Sequence, residues 1–121
     1  MKSVLIAEAH NVFRQGLAVV LEEQTSLEAV VQAASLAEAR NVLQSVDGKV
    51  ALAIVGLDLP DGDAAPLIED LRAAGTPVLA LAFEPDAERC TRALRAGADE
   101  VLRIASSCEK LVETASRFVE S

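Results

Sequence analysis

Apolar runs and segments of helical period alternate along the whole chain. Residues 4–7 form a short apolar run, and Phe13, Leu17 and Leu21 follow at the spacing of one helix face. The run 50–55 is apolar at every position, as is typical of a strand covered on both sides. The same alternation continues to the C-terminus. We predict strands over residues 4–7, 27–33, 50–55, 77–82 and 101–102, each followed by a helix.

Capping signals mark several of the predicted helix ends. Ser35 with Glu38, and Ser106 with Glu109, have the spacing of capping boxes at helix N-termini. The fourth helix is predicted from 85 to 96, and Gly97 is placed to end it. These signals separate the helices from the strands without a linker or a repeat between them.

Five strands that alternate with five helices predict an α/β fold, a doubly wound parallel sheet with helices on both faces. The chain has the length of one domain, residues 1–121. Ligands of such sheets bind beyond the carboxyl ends of the strands. The informative positions are therefore those that follow Ala7, Val55, Ala82 and Leu102.

Composition narrows the classes of function. Nineteen acidic residues against eleven Lys and Arg give a net charge of −8, which disfavours direct binding to nucleic acid or to anionic membranes. Without a signal peptide or a membrane-spanning run, and with two cysteines that fit reduced thiols, the sequence favours a cytoplasmic location. No Gly-rich phosphate loop is present, so a flavodoxin-like binder of small molecules ranks last.

Four motifs in order resemble the receiver domains of bacterial response regulators across the whole chain. The resemblance is closest to the LuxR/NarL-type subfamily, in which a helix-turn-helix domain follows the receiver. It implies a CheY-like, flavodoxin-like fold with strand order 2-1-3-4-5. The segments that carry the resemblance are 4–10, 13–17, 57–62 and 97–102.

The resemblance also shows which functional residues are missing. Receivers hold Mg²⁺ with an acidic pair after the first strand, where this chain has Glu8 and Ala9. The family's phosphoacceptor Asp lies four residues before the loop Pro, a position held here by Gly56. The family's Ser or Thr after the fourth strand corresponds to Ala82, and its Lys after the fifth corresponds to Ile104.

Without an acceptor carboxylate and a cation, phosphoryl transfer lacks its nucleophile and its charge balance. We therefore predict a degenerate receiver, a pseudo-receiver that is not an enzyme, binds no cofactor and signals without phosphorylation at this position. Two alternatives stay open: a residual Mg²⁺ site at Glu8 and Asp58, and a Mg²⁺-dependent receiver of the phosphorelay that uses a displaced Asp. A substituted variant of a working receiver is disfavoured, because four positions differ at once.

Several side chains near the site have simpler interpretations. His10 is predicted to be a solvent-facing loop or helix-cap residue, and Gly56 to leave a shallow hollow. Asp61 with Gly62 is typical of a turn, Asp63 is placed to cap the next helix, and Asp58 should point away from the site.

The fourth helix carries a basic stripe on an acidic protein. Its members are Arg89, Arg92 and Arg95, predicted to lie opposite Ala87, Cys90 and Leu94. Because the resembling family docks partners on this helix and the next, the stripe is a candidate contact for a protein partner or a homodimer. A second candidate face is formed by the first and last helices, because apolar residues such as Val12 and Val19 on the first helix are not needed to fill the core. We expect a signalling module that acts by binding a protein partner or by dimerisation. One function of such binding is to control a DNA-binding output domain.

Overall fold

The computed structural model describes residues 3–24, 29–45, 50–83, 86–103 and 108–120. Strands and helices alternate as predicted. The strands are β1 Ser3–Ala7, β2 Ala29–Ala33, β3 Val50–Gly56, β4 Val78–Ala82 and β5 Glu100–Arg103. The helices are α1 Asn11–Gln24, α2 Leu36–Ser45, α3 Ala65–Ala73, α4 Ala87–Ala96 and α5 Cys108–Glu120. Within the described residues, no helix is both long enough and apolar enough to cross a bilayer.

The five strands form one parallel sheet in the order β2-β1-β3-β4-β5. The sheet confirms the predicted fold class and strand order. The central strands β3 and β4 are buried almost throughout, because helices cover both of their faces. β2 is an edge strand, and most of its residues are partly exposed.

Two apolar cores lie on opposite faces of the sheet. One face packs against α2, α3 and α4 through residues such as Ala39, Leu67 and Ala93. The other packs against α1 and α5 through residues such as Leu21 and Leu111. Alternate residues of each strand point into one core or the other. The parallel pairing of the strands places all their carboxyl ends along one edge of the sheet.

The capping signals are confirmed in part among the described helix ends, because Glu38 bonds the Ala34 N–H rather than that of Ser35, and Ala64 rather than Asp63 is the N-cap of α3. Ser35 accepts a hydrogen bond from the Glu38 backbone N–H at 3.2 Å, and the Glu38 carboxylate accepts from the Ala34 N–H at 3.0 Å. Gly97 ends α4 with φ of 119°, a left-handed conformation that favours glycine. The predicted pairing of Ser106 with Glu109 lies outside the described residues.

The fourth helix differs from its prediction in two ways. It begins at Ala87, because Asp86 is the N-cap and its carboxylate accepts from the Arg89 N–H at 3.1 Å. Its inner face is built around Ala93, and Leu94 is 52% exposed rather than inward. The prediction that Leu94 and Ala87 share an inner face with Cys90 was wrong for both, because α4 packs on the core through Ala93, Cys90 and Ala96 while Ala87 and Leu94 are exposed.

Candidate functional site

Four of the five positions identified from the sequence lie together at the carboxyl edge of the sheet. Glu8 and Ala9 follow β1, while Gly56 and Ala82 end β3 and β4. Backbone hydrogen bonds hold this edge in register, from Glu8 N to Ala33 O and from Leu57 N to Leu81 O, both at 2.9 Å. Ile104 lies outside the described residues.

The predicted hollow at Gly56 is wrong, because the Glu8 side chain fills it. A Cβ atom added to Gly56 would lie 2.6 Å from each carboxylate oxygen of Glu8 and 2.9 Å from its Cδ. Atoms at those distances overlap, so residue 56 cannot carry a side chain while Glu8 keeps its place. The Glu8 carboxylate therefore occupies the space into which a side chain at residue 56 would begin.

The Glu8 side chain is fully buried. Burial raises its pKa, and a hydrogen bond and charge interaction with His10 act in the opposite direction. The backbone N–H of Ala9 also lowers the pKa, whereas the charge of Asp58 raises it. Burial is the largest of these effects, so the environment disfavours the charged carboxylate.

His10 is half exposed and has two contacts that orient its ring. Its Nδ1 lies 3.2 Å from Oε1 and 3.5 Å from Oε2 of Glu8. Its ring also stacks on Phe83, with centroids 4.2 Å apart and planes tilted by 34°. The prediction of a solvent-facing His10 was right about exposure, but it missed Phe83, which is remote in sequence.

Arg14 is a buried cation that the sequence reading did not single out. Its Nη1 donates to the backbone oxygen of Glu8 at 2.7 Å, and its Nε donates to Oε1 of Gln32 at 3.1 Å. The guanidinium thus joins the end of β1 to the edge strand β2. Its position within the 13–17 motif was the available signal.

Two arginines of α4 form ion pairs with the acidic loop after β3. Asp58 forms an ion pair with Arg89, and the same guanidinium donates to the backbone oxygen of Leu57. Asp58 does turn away from Glu8 toward α4, although its charge still raises the pKa of Glu8. Asp63 pairs with Arg92. Two members of the basic stripe therefore bind acids of their own chain, and Arg95 is the member left without an ion pair among the described residues.

Asp61 and Asp63 both serve helix N-termini. The two carboxylate oxygens of Asp61 accept from the N–H groups of Leu36 and Ala37, at 2.8 and 3.0 Å, which lowers the pKa of Asp61. Asp61 was predicted to be a turn residue only, and this long-range cap of α2 corrects that prediction. Asp63 accepts from the Ala65 N–H at 3.0 Å, as predicted for a capping residue, although Ala64 is the N-cap itself.

The residues at this edge do not fit a Mg²⁺ ion, which needs several oxygen ligands. Ala9 and Gly56 offer no side-chain oxygen, Glu8 faces His10, and Asp58 is paired with Arg89. Over the described parts of the chain, no three His, Cys, Asp or Glu residues are arranged to hold a metal.

Comparison with models of protein families identifies the family of this chain. The model described as "Response regulator receiver domain" matches residues 4–116. This chain belongs to the response regulator receiver domain family. No curated protein sequence matches it.

Solved structures of receivers share the fold. A two-component response regulator from Clostridium difficile is 22% identical with a TM-score of 0.86, and the match covers 99% of this chain and 97% of that one. A DNA-binding response regulator of the LuxR family from Staphylococcus aureus is 18% identical with a TM-score of 0.84, over 98% of both chains. These similarities support the fold of the receiver domain but do not assign it to a subfamily.

One further similar structure is that of a phosphorylated response regulator. A response regulator protein from Burkholderia pseudomallei was solved with a phosphorylated aspartic acid, a calcium ion and citrate. It is 25% identical with a TM-score of 0.81, and the match covers 96% of this chain and 66% of that one. The receiver domain described here has Gly56 at the end of β3, followed by Leu57 and then Asp58.

Proposed function

We propose that this receiver domain signals without phosphorylation at the usual position and acts through protein contacts rather than as an enzyme. The observation that carries the proposal is the packing of the Glu8 carboxylate over Gly56. Gly56 supplies no nucleophile, and Glu8 fills the space in which an acceptor side chain would begin. In this proposal the edge of the sheet is a closed structural unit that takes neither Mg²⁺ nor a phosphoryl group.

Asp58, Asp61 and Asp63 follow Gly56 in the loop after β3, and Asp58, two residues further along, is the candidate for a displaced acceptor that lies nearest to Gly56 in sequence. Its ion pair with Arg89 holds the carboxylate against α4. Ala82 offers no hydroxyl to the phosphoryl oxygens. These contacts favour the phosphorylation-independent function.

Exposed apolar side chains support a role in protein interaction. Val12 on α1 is 87% exposed and Val19 on the same helix is 54% exposed. On α4, Leu94 is exposed next to Arg95, the arginine of the stripe for which the described residues provide no ion pair. We propose these two helices as the contacts for a protein partner or a second copy of the chain. The charge of −8 disfavours direct binding of this domain to DNA and so supports a role in protein contacts.

The test is intact-mass spectrometry after incubation with Mg²⁺ and acetyl phosphate, beside a receiver of known activity. We expect no added phosphoryl group and no change in melting temperature with beryllofluoride. A gain of one phosphoryl group that disappears in Asp58→Asn would overturn the proposal and identify the displaced acceptor. Sedimentation of the untreated chain at high micromolar concentration then separates a homodimer from a monomer that awaits another protein.

A further inference from the structure

An open groove of about 610 Å³ lies between α3 and α4. Three alanines line it, Ala65 and Ala73 from α3 and Ala96 from α4. Because alanine side chains are short, a polypeptide segment in the groove can approach the backbones of both helices closely. We call this surface the α3–α4 groove, and its other lining residues are Glu69, Arg72, Arg92 and Arg95.

The charge of the α3–α4 groove is opposite to that of the chain as a whole. Among the described residues, three arginines and the carboxylate of Glu69 line it, whereas the whole chain has a net charge of −8. Guanidinium groups bind carboxylates through charge-assisted hydrogen bonds of defined geometry. The groove is therefore complementary to an acidic segment and repels a basic one.

Arg72 is fixed on the α3 side of the groove. A Cβ atom added to Gly97 would lie 2.8 Å from Cγ and 3.0 Å from Cβ of Arg72, so the arginine stem packs against the glycine that ends α4. Its Nη1 donates to Oδ1 of Asp99 at 3.3 Å, and Oδ2 of Asp99 accepts from the Val78 N–H at 2.8 Å. The guanidinium is thus held in position before a ligand arrives, which lowers the entropic cost of binding.

Arg92 and Arg95 form the α4 side of the groove. Arg92 pairs with Asp63, but the two side chains are 55% and 44% exposed. Such an exposed ion pair contributes little to stability, so an incoming carboxylate can compete for Arg92. Arg95 has no ion pair among the described residues. Its place in the last turn of α4 stabilises the helix dipole, but this leaves its hydrogen-bond donors without a carboxylate in that part of the structure.

We propose that the α3–α4 groove binds an acidic segment of a protein partner, whose carboxylates pair with Arg95, Arg72 and Arg92. Glu69 repels such a segment and so limits its affinity. The net charge of −8 disfavours nucleic acid as the occupant. The inference rests on the proposed function, action through protein contacts, and deepens it because it names one surface and the chemical class of the partner.

Amide NMR titrations of the full chain at low ionic strength test the proposal. The probe is a peptide of Glu-Ala-Ala-Ala repeats, and a peptide of Lys-Ala-Ala-Ala repeats is its matched control. We expect the acidic probe to shift the amide signals of Ala65, Ala73 and Ala96, and the basic peptide to leave them unchanged. Added salt should weaken the binding of the acidic probe.

Three glutamine variants separate the charge of the groove from the net charge of the chain. Arg95→Gln should weaken binding of the acidic probe by about fivefold, because it removes an attraction. Glu69→Gln should strengthen binding by about twofold, because it removes a repulsion. Arg40→Gln, on α2 in an exposed ion pair with Asp70, lowers the net charge as much as Arg95→Gln and should leave the affinity nearly unchanged.

Several results would overturn the proposal. They are an absence of shifts at the groove, equal binding of the two peptides, equal losses in Arg40→Gln and Arg95→Gln, and shifts centred on Val12 and Val19 of α1. A lower melting temperature in Arg95→Gln with unchanged affinity would also overturn it, because Arg95 would then only stabilise α4. A dimer in sedimentation that is lost in Arg95→Gln would mean that a second copy occupies the groove instead. A phosphoryl group found by mass would overturn the proposed function, so the two failures have different readouts.

Discussion

The end of β1 and the loop after β3 both bring carboxylates to the same edge of the sheet, in contrasting environments. Glu8 is fully buried after β1, and burial raises its pKa. Asp58, Asp61 and Asp63 after β3 are at least partly exposed, and each binds a backbone N–H or an arginine. For Asp61 these bonds lower the pKa.

The difference shows that a receiver fold can have several acidic residues at the carboxyl edge of its sheet whose carboxylates are not arranged to bind a metal ion. A metal-binding edge needs several carboxylate oxygens directed at one point. Here one carboxylate is enclosed with His10, and the others stabilise the starts of α2, α3 and α4. The acids after β3 thus have structural partners that explain their presence.

The largest expected effect comes from adding a single methyl group at Gly56. Gly56→Ala should destabilise the domain by about 1–2 kcal/mol, because the new Cβ would overlap the Glu8 carboxylate. In a Glu8→Ala background the same change should be neutral or stabilising, since alanine reduces the freedom of the unfolded chain. Urea unfolding of the four proteins measures the coupling. Equal costs in the two backgrounds would show that Glu8 does not occupy this space.

A second test uses the direction of the Glu8 pKa. An acid whose pKa is raised by folding contributes most to stability below its unfolded value of about 4.3, and this contribution is lost as pH rises through the folded value. Glu8→Gln removes the titration and keeps the shape. We therefore expect the stability of the wild type, relative to Glu8→Gln, to fall as pH rises from 4 to 7. Thermal melts across that range measure it, and parallel curves would contradict a buried, destabilised carboxylate.

The smallest effect should come from Asp61, with the opposite sign. Its pKa is lowered by the N–H groups of Leu36 and Ala37, so its stabilisation is present above the unfolded value of about 3.9 and is lost in more acidic solution. Asp61→Asn should melt slightly below the wild type at pH 7, and the gap should close below pH 3. Asp70→Asn, on an exposed ion pair with Arg40, is a matched surface control. A gap that persists in acid would mean that charge at Asp61 does not stabilise α2.

The sequence predicted the fold well because its signals were local and periodic. Apolar strands, capping residues such as Ser35, and Gly97 after α4 led to the correct order of elements. The prediction of a degenerate site rests on the spacing between Gly56 and Pro60, and the structure places Gly56 at the carboxyl edge of the sheet.

What the sequence could not predict depends on contacts between distant segments. The direction of the Glu8 side chain, the stacking of His10 on Phe83 and the cap of α2 by Asp61 each join separate loops. Their residue types have ordinary local interpretations, and only three-dimensional proximity distinguishes them. The same holds for the arginine stripe, whose pairing with Asp58 and Asp63 requires knowing how α4 faces the loop after β3.

The packing of Glu8 over Gly56 also bears on the history of such a domain. Restoring an aspartate at residue 56 would place a second carboxyl group against a buried carboxylate, so the single reversion is penalised until Glu8 has been shortened or lost. Shortening Glu8 first gives no acceptor and leaves an empty space. Within this pair of residues, an aspartate at residue 56 fits only after the Glu8 side chain has moved or been replaced, and Ala9, Ala82 and Ile104 would still lack the side chains of a phosphorylated receiver.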